Sequence, residues 1–94
     1  MSNYELTLVL PGKGKAKEKA YIEKVETIVK ASDGKITKTD SWGELDLSYP
    51  IKKELSGFFV HFNLELNGSA VKGLDEKLRV DDGLLRYLMV KTQS

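Results

Sequence analysis

The sequence predicts an α+β fold with the element order β-α-β-β-α-β, in which both helices cover one face of an antiparallel sheet. Three observations carry this. Phe58, Val60, Phe62, Leu64 and Leu66 alternate with Phe59, His61, Asn63 and Glu65, the period-two pattern of a strand with one buried face. Ile22, Val25, Ile28 and Val29 recur at helical spacing and form an apolar stripe. Turn-forming residues separate the patterned segments, at Pro11-Gly12, Asp33-Gly34, Asn67-Gly68 and Asp81-Asp82-Gly83.

The elements follow in chain order. Tyr4, Leu6, Leu8 and Leu10 alternate with Glu5, Thr7 and Val9, so the chain opens on a strand that Pro11-Gly12-Lys13-Gly14 ends. Ala16 to Ala31 reads as a helix, with Glu26 and Lys30 able to pair one turn apart and Gly34 free to take a left-handed cap. Lysines crowd its start, which is unfavourable at the positive end of the helix dipole unless an anion sits there. Lys35 to Tyr49 is a long extended segment whose phase changes. Ile36 and Trp42 lie on even positions, whereas Leu45, Leu47 and Tyr49 lie on odd ones. An inserted residue is needed to reconcile the two, and Gly43 is placed for a β-bulge. Pro50 then ends ladder pairing. Gly57 to Leu66 is the clearest strand. Ser69 offers an N-cap for a short second helix marked by Val71, Leu74 and Leu78, which Gly73 weakens by about 1 kcal/mol relative to alanine. Leu84 to Thr92 is the last strand. The arrangement is the split βαβ, or ferredoxin-like, fold.

Composition narrows the function. A chain of 94 residues with 40% hydrophobic and 31% charged content fits one globular domain, residues 1–94. No apolar run approaches the length of a membrane span, and the alternating, Glu5-bearing N-terminus is unlike a signal peptide, so no membrane role is expected. The absence of cysteine excludes disulfides and thiolate metal sites and fits a reducing cytoplasm. The formal net charge is only +1, and of fifteen basic residues only Arg79 and Arg86 are arginines. Binding to a polyanion is driven by basic residues displacing counterions, so any nucleic acid would be held by few contacts and with help from another protein.

With both helices on one side, the other sheet face is open. Phe59 and His61 belong there, near Val9. Placing Arg86 on the open side takes Leu84, Leu88 and Val90 with it and leaves Leu85, Tyr87 and Met89 for the core. Several apolar residues then share one bare face, the mark of a partner surface. Trp42 beside a bulge is read as packing, with stacking on a base as the sharper alternative. His61 is the only histidine and has no neighbouring ligand pattern, so it is read as a surface residue of the docking face; no metal, cofactor or small-molecule substrate is expected. Gly12-Lys13-Gly14-Lys15 could cradle a phosphate through backbone N–H groups, but it lacks P-loop spacing and is as simply a solvated loop.

Taken together, Tyr4-Glu5, Trp42-Gly43, Leu47-Ser48-Tyr49-Pro50-Ile51-Lys52-Lys53, Gly57-Phe58-Phe59, Leu78-Arg79 and Leu84-Leu85-Arg86 are similar, in order and register, to the bacterial small-subunit ribosomal protein family numbered six. The resemblance spans roughly Tyr4 to Gln93. It implies a structural, non-enzymatic component of the small ribosomal subunit in the cytoplasm. It further implies binding to small-subunit ribosomal RNA, cooperatively with the ribosomal protein numbered eighteen. Carried over by position, Arg86 and Lys91 match basic positions on the family's last strand, Arg79 one at the end of the second helix, and Lys52 one after Tyr-Pro-Ile. Lys53 stands beside it at the loop tip. Phe59, His61, Leu88 and Val90 are the expected protein-partner face. The sequence departs from the family at Glu44-Leu45-Asp46, where a basic run is common, and carboxylates are unfavourable beside phosphate. Two other readings use the same fold: an acylphosphatase-like enzyme built on the Gly12–Lys15 loop, and a small-molecule-binding regulatory domain. The first lacks an arginine in that loop to clamp a phosphoryl group.

Overall fold

The computed structural model describes residues 2–11, 15–81 and 83–93. The elements are β1 (Ser2–Pro11), α1 (Lys15–Ala31), β2 (Lys35–Ile51), β3 (Glu54–Leu66), α2 (Gly68–Arg79) and β4 (Arg86–Gln93). They form a four-stranded sheet in the order β2-β3-β1-β4. Every neighbouring pair is antiparallel. This is the expected ferredoxin-like architecture. Of the expected phosphate cradle Gly12–Lys15, residues 12–14 lie outside the described residues and Lys15 begins α1; Asp82 also lies outside them.

The core follows from alternation. Phe58, Val60, Phe62, Leu64 and Leu66 of β3 meet Leu6, Leu8 and Leu10 of β1 on the helix side, and Val25, Val29, Leu74 and Leu78 close the layer from above. Each fully buried side chain of this size contributes about 1.5–3 kcal/mol from removal of apolar surface from water. Tyr4, Tyr21 and Tyr87 pack at the margin of the cluster.

Local chemistry shifts several boundaries. Asp33, not Gly34, holds the left-handed conformation after α1, with φ 59°. Gly34 is required for a different reason: a Cβ there would lie 2.5 Å from the Glu65 carbonyl oxygen and 2.5 Å from Leu66. The chain turns so tightly into β2 that only a bare backbone fits. Ser69 does not cap α2. Asn67 occupies the N-cap with extended φ and ψ, makes no side-chain cap bond, and accepts the N–H groups of Ala70 and Val71 at its own carbonyl. Pro50 does not end β2, which runs to Ile51; the ladder lapses earlier, after Asp46, and resumes at Ile51↔Glu54.

Leu84 is a correction with a clear cause. Even–odd reasoning put it on the open face with Arg86, yet it is 3% exposed and belongs to the core. The regular strand begins only at Arg86, and Leu84 sits in the preceding turn, whose N–H bonds to the Asp81 carbonyl. Alternation does not extend into a turn. Leu85 is half-buried and donates its N–H to Val9. From Arg86 onward the pattern holds: Arg86, Leu88 and Val90 are exposed, while Tyr87 and Met89 pack on the core.

Asp81 fastens this turn to α1. Its carboxylate accepts bonds from Tyr21 at 2.8 Å, Lys24 at 2.5 Å and the Gly83 N–H at 2.8 Å. Burial alone would push the Asp81 carboxyl up, but the bonds from Lys24, Tyr21 and Gly83 outweigh it and hold it below its ordinary value. Burial first, and then the bond to Asp81, push the Tyr21 phenol up to about 12. Because the carboxyl is depressed in the folded chain, its stabilisation is present above about pH 4 and is lost as pH falls through the folded value. The Tyr21 contribution has the opposite sense: it is intact below pH 10.0 and fades as pH rises toward about 12. Asp81→Asn should therefore lower stability at neutral pH by about 1–2 kcal/mol, as expected for a charge-assisted hydrogen-bond set near the surface. In urea titrations the variant should also lose part of the wild type's acid-induced decline below pH 4.

Candidate nucleic-acid interface

The β2–β3 hairpin is closed by a two-residue turn, Lys52-Lys53, with φ of 50° and 69°. Two positive φ values make this the kind of turn that matches strand twist and that Asn-Gly ordinarily fills. Lysines placed there carry about 1 kcal/mol or more of steric strain each. One interaction offsets part of it. The Lys52 ammonium donates to the Leu84 carbonyl at 3.1 Å, tying the hairpin tip to the turn before β4. Lys53 is exposed at the tip.

That tie gathers three of the five expected RNA-contact residues. Lys52, Arg79 and Arg86, with Asp81, Leu85 and Tyr87, line one shallow depression of about 210 Å³ at the end of the sheet; the Asp81 carboxylate there is already bonded to Tyr21, Lys24 and Gly83. Each cation is held by one partner. The Arg86 guanidinium donates to the Tyr49 hydroxyl at 2.9 Å. Arg79 donates to Asp75 at 2.7 Å, and Asp75 also accepts the Tyr87 hydroxyl at 2.7 Å. That bond to a carboxylate, and then partial burial, raise the Tyr87 phenol above its ordinary value. Arginine has five donors, so one bond leaves most of the fork available. Lys91 is not part of this group: it pairs with Tyr4, far along β4 from the Arg86↔Val9 position.

The open sheet face is partly covered by the chain itself. Trp42 stacks on His61 with ring centres 4.8 Å apart and lies over Phe59 at 6.4 Å. His61 is therefore not a bare surface residue; its side chain is 12% exposed. Its Nε2 lies 3.0 Å from the Glu5 carboxylate and its Nδ1 2.9 Å from the Thr7 hydroxyl. A carboxylate only accepts, so Nε2–H is assigned as the donor to Glu5, and Nδ1 as the acceptor from Thr7. Val9 is buried too, and it lines one dent with Leu47, Tyr49 and Ile51 of the hairpin. Leu88 and Val90 remain open at 61% and 45% exposure, beside a dent that Glu5, Thr7 and His61 complete. Ile36 and Trp42 share even positions but face opposite sides. Ile36 pairs with core-facing Leu64, and the register shift between Ile36 and Lys38 reverses the phase of the strand before Trp42 is reached.

Residues 3–91 match the family model described as Ribosomal protein S6. The chain belongs to the ribosomal protein S6 family. It is 36% identical over 91 residues to the small ribosomal subunit protein bS6 of Clostridioides difficile, a match covering 96% of this chain and 98% of that one. With bS6 of Pelagibacter ubique the identity is 36% over 94 residues, covering 99% and 78%. Among solved structures, 30S ribosomal protein S6 of Thermotoga maritima superposes with a TM-score of 0.87 at 22% identity, over 97% of this chain and 87% of that one. The C-terminal domain of the Mycobacterium tuberculosis MgtC protein shares the fold at a TM-score of 0.61 and 9% identity, over 99% and 89%. At such identities the structures speak for the fold alone. Family membership makes the chain a structural protein of the small ribosomal subunit, not an enzyme, and so a cytoplasmic, ribosome-associated one.

Sequence reasoning missed two supports of the basic depression. Tyr49, which orients Arg86, stands in the sequence only as a strand residue. The signal was present: once Gly43 inserts its bulge, the odd positions Leu45, Leu47 and Tyr49 follow Phe59 onto the open side. The tie from Lys52 to Leu84 had no sequence signal, because it joins residues 32 apart through a backbone oxygen. The strain at the tip is open to test. Lys53→Gly should raise stability by about 1 kcal/mol by relieving the left-handed lysine. A higher urea midpoint with an unchanged slope is the expected result, because the compactness of neither state changes.

Proposed function

We propose that this S6-family chain binds small-subunit ribosomal RNA jointly with a basic protein partner, the ribosomal protein numbered eighteen. The observation that carries the reading is the convergence of Lys52, Arg79 and Arg86 on one depression, each held by a single hydrogen bond. Pre-ordered cations lose little side-chain freedom when they meet a phosphate, so a small number of contacts suffices. Lys53 at the tip extends the basic surface, while Lys91 is a separate basic position at the far end of β4. The exposed Leu88 and Val90 and the half-covered Phe59 and His61 supply an apolar face for protein.

A formal charge of +1 argues against tight binding to RNA by the chain alone. The partner supplies the missing positive charge, and the joined surface holds the RNA. Arg86 is the residue on which this turns. Arg86→Ala should weaken RNA binding by the two-protein complex about tenfold and reduce the salt dependence by about one counterion. Its unfolding free energy should change by less than about 0.5 kcal/mol, since the side chain is exposed. An unchanged RNA affinity in the partner's presence would overturn the assignment.

A further inference from the structure

The basic depression contains an acid. Of the described residues that line it, Lys52, Arg79 and Arg86 are cations and Asp81 alone is acidic. A free carboxylate there would repel the phosphate that the three cations attract. The group does not escape by taking up a proton: burial favours the neutral acid, but the bonds from Lys24, Tyr21 and Gly83 outweigh it and hold the carboxyl below its ordinary value. The charge is met by position instead. Oδ2 of Asp81 accepts the Lys24 ammonium at 2.5 Å, and Oδ1 accepts the Tyr21 hydroxyl and the Gly83 N–H, each at 2.8 Å. Both oxygens are engaged, and the side chain is 15% exposed. We infer that Tyr21 and Lys24 are positioning residues for the RNA site: they draw the Asp81 carboxylate onto α1 and neutralise it, so that the depression offers phosphate its cations without an opposing charge.

The arrangement joins three elements. Tyr21 and Lys24 stand three residues apart on α1, so their side chains leave the same face of the helix, and the ammonium lies 5.8 Å from the centre of the phenol ring. The turn after α2 passes so close to them that a Cβ on Gly83 would run into the Tyr21 hydroxyl. The backbone of Asp81 reaches the cations as well. Its carbonyl accepts the Leu84 N–H at 3.3 Å, and the Leu84 carbonyl receives the Lys52 ammonium. Neither Tyr21 nor Lys24 is among the residues that line the depression. The inference rests on the RNA reading above and deepens it. Two groups that phosphate does not meet set the sign of the field that phosphate meets. A latch that served folding alone would make RNA affinity follow stability; a charge shield makes the two part.

Fluorescence anisotropy of a labelled small-subunit ribosomal RNA junction, titrated with the complex of the full-length chain and the protein numbered eighteen, tests this beside urea titrations of the chain. Lys24→Met should weaken RNA binding about fivefold, because it leaves the carboxylate uncompensated. Lys30→Met removes an equal charge near the other end of α1 and should cost less than about twofold, since salt screens it from the depression. Asp81→Asn should tighten RNA binding severalfold although it lowers stability. Lys24→Met/Asp81→Asn should recover most of the affinity that Lys24→Met loses, without recovering its stability. Circular dichroism checks that each variant is folded, and Lys24→Gln replaces Lys24→Met if it is not, with the same loss expected. Lys24→Met affinity within twofold of wild type overturns the inference and leaves the RNA reading standing. So does affinity that falls in step with stability in Lys24→Met, Asp81→Asn and the double variant, the mark of a purely mechanical latch. No RNA binding by the wild-type complex overturns both.

Discussion

The pairing of β1 with β3 is the constraint on which the rest of the molecule depends. It runs unbroken from Ser2↔Leu66 to Pro11↔Gly57, residue against residue. A period-two register leaves no intermediate choice: a slip of one position would carry Leu6, Leu8 and Leu10 to the open side and bring Glu5 and Thr7 under the helices. The same pairing sets Thr7 opposite His61 and Val9 opposite Phe59 on the other face. The core and the surface chemistry are two readings of one ladder. The Glu5–His61–Thr7 network exists because hydrophobic burial on the far side dictates which residues meet on the near side.

β2 is bound to that ladder under looser terms. It pairs with β3 through three register shifts, and each lets the strand change which residues it presents. Gly43 accepts the left-handed conformation at the middle shift at little cost. The result is that Trp42 folds over His61, while Tyr49 reaches Arg86 across the sheet end. An unbroken strand could do neither, because its faces would stay in phase from Lys35 to Ile51. The strained Lys52-Lys53 turn belongs to the same construction. A flexible Gly-containing tip would close the hairpin at lower cost, but it would lack the ammonium that ties the tip to Leu84.

What the sequence made legible follows from range. Element order, the core face of β1 and β3, the bulge at Gly43 and the exposure of Leu88 and Val90 are consequences of local periodicity, and the pattern carries them directly. The misreadings occur where periodicity stops. Leu84 sits in a turn, where alternation has no meaning. Ser69 and Gly34 are plausible capping residues by type, but the backbone of Asn67 and the left-handed Asp33 take those roles. The gathering of Lys52, Arg79 and Arg86 comes from three elements distant in sequence. Residue type and family register nominated them singly; nothing in the spacing shows that they share a depression and that Lys91 stands apart.

Net charge conceals how the cations are used. Lys24 serves Asp81, Lys35 serves Glu65, Lys38 serves Asp40, and Arg79 is offset by Asp75 at 2.7 Å. These pairs steady turns and strand ends and add little long-range field, because opposite charges a few ångströms apart cancel beyond a Debye length of about 8–10 Å. The field that an approaching polyanion meets therefore comes from a few groups near the hairpin tip and β4. Glu44 and Asp46, which pair with no cation among the described residues, oppose it from the same hairpin. If a basic partner binds as proposed, its charge alone would favour RNA without a conformational change, and by linkage bound RNA would favour the partner to the same degree.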